Sequence, residues 1–154
     1  MSFESTAAAR GWRLSCRLHA RGWQRLAKLV KVLNFVSFRA LLPPEAVLGS
    51  DLRMKHYGLG VVIHPNVTVG DRVTFYHQVT IAGESWIGSP HRVVIGDDVV
   101  VGVGAKIIPR TDRGLEIGAN TVIGAGAVVT RDVPANHVAV GVPAVAKPRE
   151  QIDG

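Results

Sequence analysis

A chain of 154 residues has room for one domain and at most a short appendage. Its 47% hydrophobic against 19% charged residues excludes a disordered polymer, and the single Cys16 excludes an intrachain disulfide or a cysteine-based zinc site. The formal charge of +6 is uneven: residues 1–44 hold eight cations and one acid, leaving ten cations and eleven acids in residues 45–154.

The basic leader, residues 1–44, comes first. Leu14, Leu18, Leu26, Leu29, Val30 and Leu33 recur at three- and four-residue steps, which predicts a short amphipathic helical segment or helical pair over 10–39. Gly22 is the expected break, and Pro43-Pro44 ends any helix before it. Arg13, Arg17, Arg21, Arg25 and Lys28 run beside the apolar stripe. The favoured reading packs that stripe on the rest of the fold. The other lays the helix on a membrane, with Trp12 and Trp23 at the interface. No nucleic-acid module accompanies the charge, so nucleic acid is not an expected partner. With no signal-peptide pattern and no apolar run of membrane-spanning length, the expected location is cytoplasmic, with peripheral contact at the inner membrane face as the variant.

Residues 45–148 form the second region and carry a six-residue rhythm. It runs as Ile63-His-Pro-Asn-Val-Thr, Val69-Gly-Asp-Arg-Val-Thr and Phe75-Tyr-His-Gln-Val-Thr, with Ile81 opening the next unit. It returns at Ile95, Val101 and Ile107, and again at Ile117, Ile123 and Val129. Neither a lone helix nor a plain strand has this period. A parallel β-helix does, with the first position of each hexad stacked in the core and a small or β-branched fifth position near each corner. Two interruptions, in loop 82–94 around Glu84, Trp86, Pro90 and His91 and again near Arg110–Arg113, are expected to leave the coil and build a working surface. Residues 149–154 read as a tail.

Lys55-His-Tyr-Gly-Leu-Gly, Tyr76-His-Gln-Val-Thr-Ile-Ala-Gly and Gly141-Val-Pro-Ala give the sequence a resemblance to the hexapeptide-repeat acyltransferases, most closely the serine acetyltransferase-like group, over residues 40–148. The resemblance implies a mainly β fold, a left-handed parallel β-helix, assembled as a homotrimer with acetyl-CoA between subunits. It implies His56 as the base that takes the proton of a small-molecule hydroxyl acceptor. An imidazole suits that task, titrating near pH 6.5 in ordinary surroundings. It implies His91 as a second active-site histidine. Gly102, Gly104, Ala105 and Lys106, echoed one coil later by Gly124 and Ala125, match a stretch whose backbone amides contact the pantetheine arm. Gly141, Pro143, Ala144 and Lys147 match the segment closing over the nucleotide, with Lys147 or Arg149 facing its phosphates. His64 and His77 are expected to be structural or interfacial.

The departures from the serine-specific pattern concern the acceptor. Leu41 stands where relatives orient the base with an aspartate, Lys55 replaces an aspartate just before the base, and Pro90 replaces a carboxylate-binding arginine, with Arg92 on the far side of His91. Glu45, Asp51 or a backbone carbonyl is the expected substitute partner for His56. These changes tilt the expectation toward a sugar hydroxyl of a polysaccharide pathway over L-serine. A zinc enzyme of carbonic-anhydrase type is disfavoured, because His56, His64, His77 and His91 lie 8, 13 and 14 residues apart with no close pair. No metal is expected. A non-catalytic scaffold is disfavoured by the retained His56 motif.

Overall fold

The computed structural model describes residues 7–83, 86–110 and 113–149. The parts of the leader, the loop, the second interruption and the tail at 1–6, 84–85, 111–112 and 150–154 lie outside the described residues.

Two helices lead the chain, α1 (Ala7–Ala20) and α2 (Gln24–Phe38). Gly22, at φ +81°, makes the turn between them, as the sequence predicts. The buried face is not the expected one. Leu14, Leu26, Leu29 and Leu33 all stay exposed, while Ala8, Ala9, Trp12, Ser15 and Leu18 of α1 and Ala27 and Asn34 of α2 go inside. Small residues let the helices approach closely; a Cβ on Gly11 would meet Asn34 Oδ1 at 2.6 Å. The polar groups between them are satisfied across the gap, Ser15 Oγ donating to Ala27 O at 2.9 Å and Asn34 Nδ2 to Ala8 O at 3.1 Å. Trp12, which the alternative membrane reading places at an interface, is fully buried, and its Nε1 donates to Pro43 O at 2.7 Å. Trp23 remains 61% exposed. Cys16 sits at the same junction, where burial and then Glu45 push its thiol up to about 12. No helix among the described residues is long and apolar enough to cross a membrane.

The rest is a three-sided prism of short strands. The first sheet stacks β1 (Val47–Leu48), β4 (Val67–Val69), β7 (Val93–Ile95) and β10 (Leu115–Ile117). The second stacks β2 (Arg53–Met54), β5 (Thr74–Phe75), β8 (Val100–Val101), β11 (Val122–Ile123) and β13 (His137–Val140). The third stacks β3 (Val62–Ile63), β6 (Thr80–Ile81), β9 (Lys106–Ile107) and β12 (Val128–Val129). All these pairings are parallel, as in the register Arg53↔Thr74↔Val100↔Val122. An antiparallel strand, β14 (Val145–Pro148), pairs with β13 and covers the last edge of the second sheet.

The hexad rule explains the core. First-position residues Ile63, Val69, Phe75, Ile81, Ile95, Val101, Ile107, Ile117, Ile123 and Val129 are all buried, as are the fifth-position residues Val67, Val73, Val79, Val99, Ala105 and Ala127. Fully burying one such aliphatic or aromatic side chain stabilises the fold by about 1.5–3 kcal/mol.

The edge between the first and second sheets is closed by side chains. Asp71 Oδ1 accepts the Ser50 N–H at 2.6 Å, and Asp97 Oδ1 accepts the Asp71 N–H at 2.8 Å one coil on. The Ser50 amide holds the Asp71 carboxyl below the usual carboxylate range, and Arg72, bonded to Asp98 through Nε (2.8 Å) and Nη2 (2.7 Å), does the same for Asp98.

Candidate active site

The chain passes from the second sheet to the third at residues 55–61, 76–79, 102–105 and 124–127, so these corners stack on one edge of the prism. His56 lies in the first of them, in a 3-10 turn over Lys55–Gly58. His56 and Tyr57 both take left-handed backbone angles, φ +51° and +57°, which L-residues adopt at a cost of roughly 1–2 kcal/mol each. The turn is held by Leu59 N–H donating to His56 O at 3.1 Å and Val61 N–H to Gly58 O at 3.0 Å. Gly58 is required here: it lies at φ +69°, and a Cβ would sit 2.7 Å from Met54 Cε. Phe38, at the end of α2, stacks on Tyr57 with centroids 6.0 Å apart, so the helical hairpin braces the turn. The His56 side chain is exposed on the edge rather than sunk in the coil.

The expected carboxylate partner is not there. Among the described residues no acid bonds His56: Glu45 is beside Cys16 with a buried, unpartnered Oε2, and Asp51 is on the neighbouring edge. The ring against His56 is instead His77, edge-on, with centroids 4.8 Å apart and an interplanar angle of 83°. His77 Nδ1 is buried and has no hydrogen-bond partner among the described residues. The hexads alone, with a coil of 18 residues as in Ile63↔Ile81, do not foretell this contact; the longer 55–61 corner makes it. Arg53 and Thr74 are in register, 21 residues apart, and so are His56 and His77.

The expected cofactor stretch continues the same edge, with one correction. The amides of Gly102, Gly104, Ala105, Lys106 and Gly124 are committed within the coil, to Ile123 O, His77 O, Gly102 O, Ala127 O and Ala139 O respectively. Ala105 is also fully buried. Their N–H groups are therefore not the donors offered to a ligand. Within these two stretches the amides that bond no acceptor among the described residues are those of Val103 and Ala125, at the third hexad position directly after Gly102 and Gly124, in line with His77 one coil earlier. Gly104 and Gly126, both at φ +67°, have nothing within 4 Å of a built Cβ, so the backbone there faces open space. Gly141, Pro143 and Ala144 form the β13–β14 connection at the end of this edge. Lys147 pairs with Val138 and Arg149 donates to Asn120 Oδ1 at 2.8 Å, which carries both away from the edge toward the first–second corner.

His91 is elsewhere. Its loop joins β6 to β7 and so belongs to the edge between the third and first sheets, not to that of His56. The loop is built on Asn66, whose Nδ2 donates to Trp86 O at 2.6 Å and whose Oδ1 accepts the Gly88 N–H at 2.8 Å. Ser89, buried, accepts the His91 N–H at 3.1 Å. Arg92 turns back on the coil, donating from Nε to Thr68 Oγ1 and from Nη2 to Val67 O, both at 3.0 Å. His64 likewise belongs to the frame, its Nδ1 accepting the Asn66 N–H at 3.1 Å. Among the described residues no three His, Cys, Asp or Glu side chains gather as a metal site.

No protein-family model matches the sequence. The chain is 38% identical over 133 residues to a serine acetyltransferase of Mycobacterium tuberculosis, covering 86% of this chain and 56% of the relative. It is 35% identical over 130 residues to a serine acetyltransferase of Helicobacter pylori, covering 84% of this chain and 73% of the relative. The solved structure of a Brucella abortus serine acetyltransferase in complex with coenzyme A superposes with a TM-score of 0.83 at 29% identity, over 95% of this chain and 56% of that one. The chain thus spans between about half and three quarters of the length of these relatives. On this likeness, extending through both helices and the prism, the chain belongs to the serine acetyltransferase family.

Proposed function

We propose that this chain is an acetyl-CoA-dependent O-acetyltransferase whose acceptor is L-serine. The observation that carries the chemistry is the stacking of His56, His77, the open amides of Val103 and Ala125 and the bare backbone of Gly104 and Gly126 along one edge. A thin acyl-bearing arm lying along that edge meets backbone donors and no bulky side chain. His56 takes the proton of the acceptor hydroxyl as its oxygen bonds to the thioester carbonyl carbon. The tetrahedral oxyanion then collapses, the carbon–sulfur bond breaks, and the His56 proton passes to the departing thiolate. His77, edge-on to His56, fixes the orientation of the base where a carboxylate would otherwise do so.

The acceptor reading differs from the sugar hydroxyl favoured by Leu41, Lys55 and Pro90. Relatives at 35–38% identity bear the serine acetyltransferase name, and this kinship outweighs three substitutions, at one of which His77 takes the place of the missing partner of the base. Arg92, committed to Val67 O and Thr68 Oγ1, leaves the serine carboxylate to be met by another cation. The site is completed by a homotrimer, with the His91 loop of one subunit brought to the His56 edge of the next. Exposed Trp86 and Ile87 on the loop, and Tyr57, Leu59 and Val142 on the His56 edge, are the apolar surfaces such an assembly covers. The test is thiol release from acetyl-CoA with L-serine and with a panel of sugars. Release with serine is expected; release with a sugar and none with serine overturns the acceptor, and release with neither overturns the activity.

A further inference from the structure

The third–first edge holds a cavity of about 380 Å³ that the catalytic reading does not use. It is lined by Arg110 and Arg113 of the second interruption and by Thr130, Arg131 and Asp132 of the following coil. Three of the ten cations in residues 45–154 therefore converge on one hollow, against one carboxylate among the described lining residues. That carboxylate is partly engaged, Asp132 Oδ1 accepting the Glu116 N–H at 2.9 Å. Among the described residues no acid lies within ion-pair distance of any of the three guanidiniums; the ion pair present is Arg72–Asp98, on a different edge.

The backbone imposes this convergence. Arg113 N–H donates to Arg110 O at 3.3 Å, which holds the two arginines' backbones together. Leu115 N–H then donates to Arg92 O at 3.0 Å, and a Cβ on Gly114 would meet that oxygen at 2.3 Å. Only glycine lets the strand return so closely under the preceding coil. Converging like charges are unfavourable unless an anion joins them, and guanidinium forks match the oxygens of phosphate.

We propose that this cavity is a phosphate-binding site, with Arg110, Arg113 and Arg131 as charged donors and the Thr130 hydroxyl as a neutral one. The phosphate is that of the acyl carrier or of a free phosphorylated metabolite; the first source rests on the acetyltransferase reading, the second does not. Among the described residues the His56 edge gathers no such cluster, its corner at 55–61 holding the single cation Lys55. Its Lys106 Nζ is turned onto Gly104 O at 3.2 Å, and Arg149 is engaged at Asn120.

The test is titration calorimetry of the full chain with inorganic phosphate and with adenosine 3′,5′-bisphosphate, repeated on R110Q/R113Q/R131Q and on R72Q as a charge-loss control. Thermal unfolding shows whether each variant is folded, and R131Q alone serves should the triple variant fail. Saturable binding by the wild type, weakened about tenfold or more in the arginine variants but not in R72Q, supports the site; it should also weaken as salt rises. Failure of the wild type to bind either probe, or equal affinity in the arginine variants, overturns it. A kinetic arm names the source. A KM for acetyl-CoA that rises about tenfold relative to that for acetyl-pantetheine in the variants assigns the phosphate to the carrier. An unchanged ratio with weakened phosphate binding assigns it to a free anion. Should no thiol be released at all, the calorimetric result stands by itself.

Discussion

The first–second and second–third edges of the prism are built from the same backbone corner, and they end in opposite states. In both, corners turn through left-handed residues: Asp51, Arg72, Asp98 and Asn120 on the first–second edge, and Gln78, Gly104 and Gly126 on the second–third, whose first corner takes four, His56, Tyr57, Gly58 and Gly60. In both, the third hexad position points an N–H outward. On the first–second edge the amides of Ser50 and Asp71 are each capped by the aspartate one coil on. On the second–third edge the corresponding amides of Val103 and Ala125 are left uncapped, with glycine beside them. A solenoid corner closed by its own side chains holds the coil together. One that leaves its donors open, and sets two imidazoles at its head, is equipped to bind something else.

The sharpest way to break that contrast is at His56. H56A should lower kcat by about a thousandfold, the range general-base removal commonly gives, while its thermal midpoint stays near that of the wild type. H91A, on the other edge, should also be impaired. Co-expressing the two inactive variants should then restore activity. If His56 and His91 meet across subunits, random trimers carry both histidines at roughly a quarter of their sites. If they met within one chain, no mixed trimer would regain an intact site. Co-expressed protein no more active than either parent would show that the two edges do not cooperate across subunits.

A smaller effect is expected at His77. H77A should lower kcat about tenfold and leave both KM values unchanged, because the ring is argued to orient His56 and not to touch substrate. H77F, which keeps a flat ring edge-on to His56, should recover most of the loss. A rise in KM without a change in kcat would move His77 from positioning the base to binding substrate.

How much of this was legible in the sequence follows from the length scale of each signal. The hexad is a local pattern, and it placed Ile63, Phe75, Ile107 and Ile123 in the core without error. Gly22 and the two interruptions were equally local. In the helical hairpin the leucine stripe is a poor guide to the inner face: of its leucines only Leu18 is buried, and the chain instead buries alanines and pins Ser15, Asn34 and Trp12 by hydrogen bonds to distant carbonyls. Such bonds leave no periodicity. The expected cofactor stretch lies on the His56 edge, but of its amides the coil consumes those of Gly102, Gly104, Ala105, Lys106 and Gly124 and leaves that of Ala125, since which N–H each turn consumes depends on the coil above it. Pairing His56 with His77 was not legible in the hexads, whose coil is 18 residues as in Ile63↔Ile81; the three extra residues of the 55–61 corner stretch the offset to 21 and bring the two rings together.

The closed edge makes the last and smallest prediction. The Ser50 amide lowers the carboxyl pKa of Asp71 in the folded state, and Arg72 lowers that of Asp98. A depressed folded value means stability that is present above the unfolded carboxyl value of about 3.9 and lost as pH falls through the folded one. The unfolded chain binds the proton first, so acid favours unfolding throughout that window. D71N keeps an oxygen facing Ser50 but has no proton to gain. Its urea midpoint should fall less steeply than the wild type's between pH 4 and pH 2 while differing little at neutral pH, because both carboxylates sit at a solvent-facing corner where screening weakens their bonds. Substitutions on the open edge should leave that acid slope unchanged, since no carboxylate there caps an amide. Parallel acid curves for D71N and the wild type would mean that the aspartate ladder merely decorates the corner, and the distinction between a closed and an open edge would lose its physical basis.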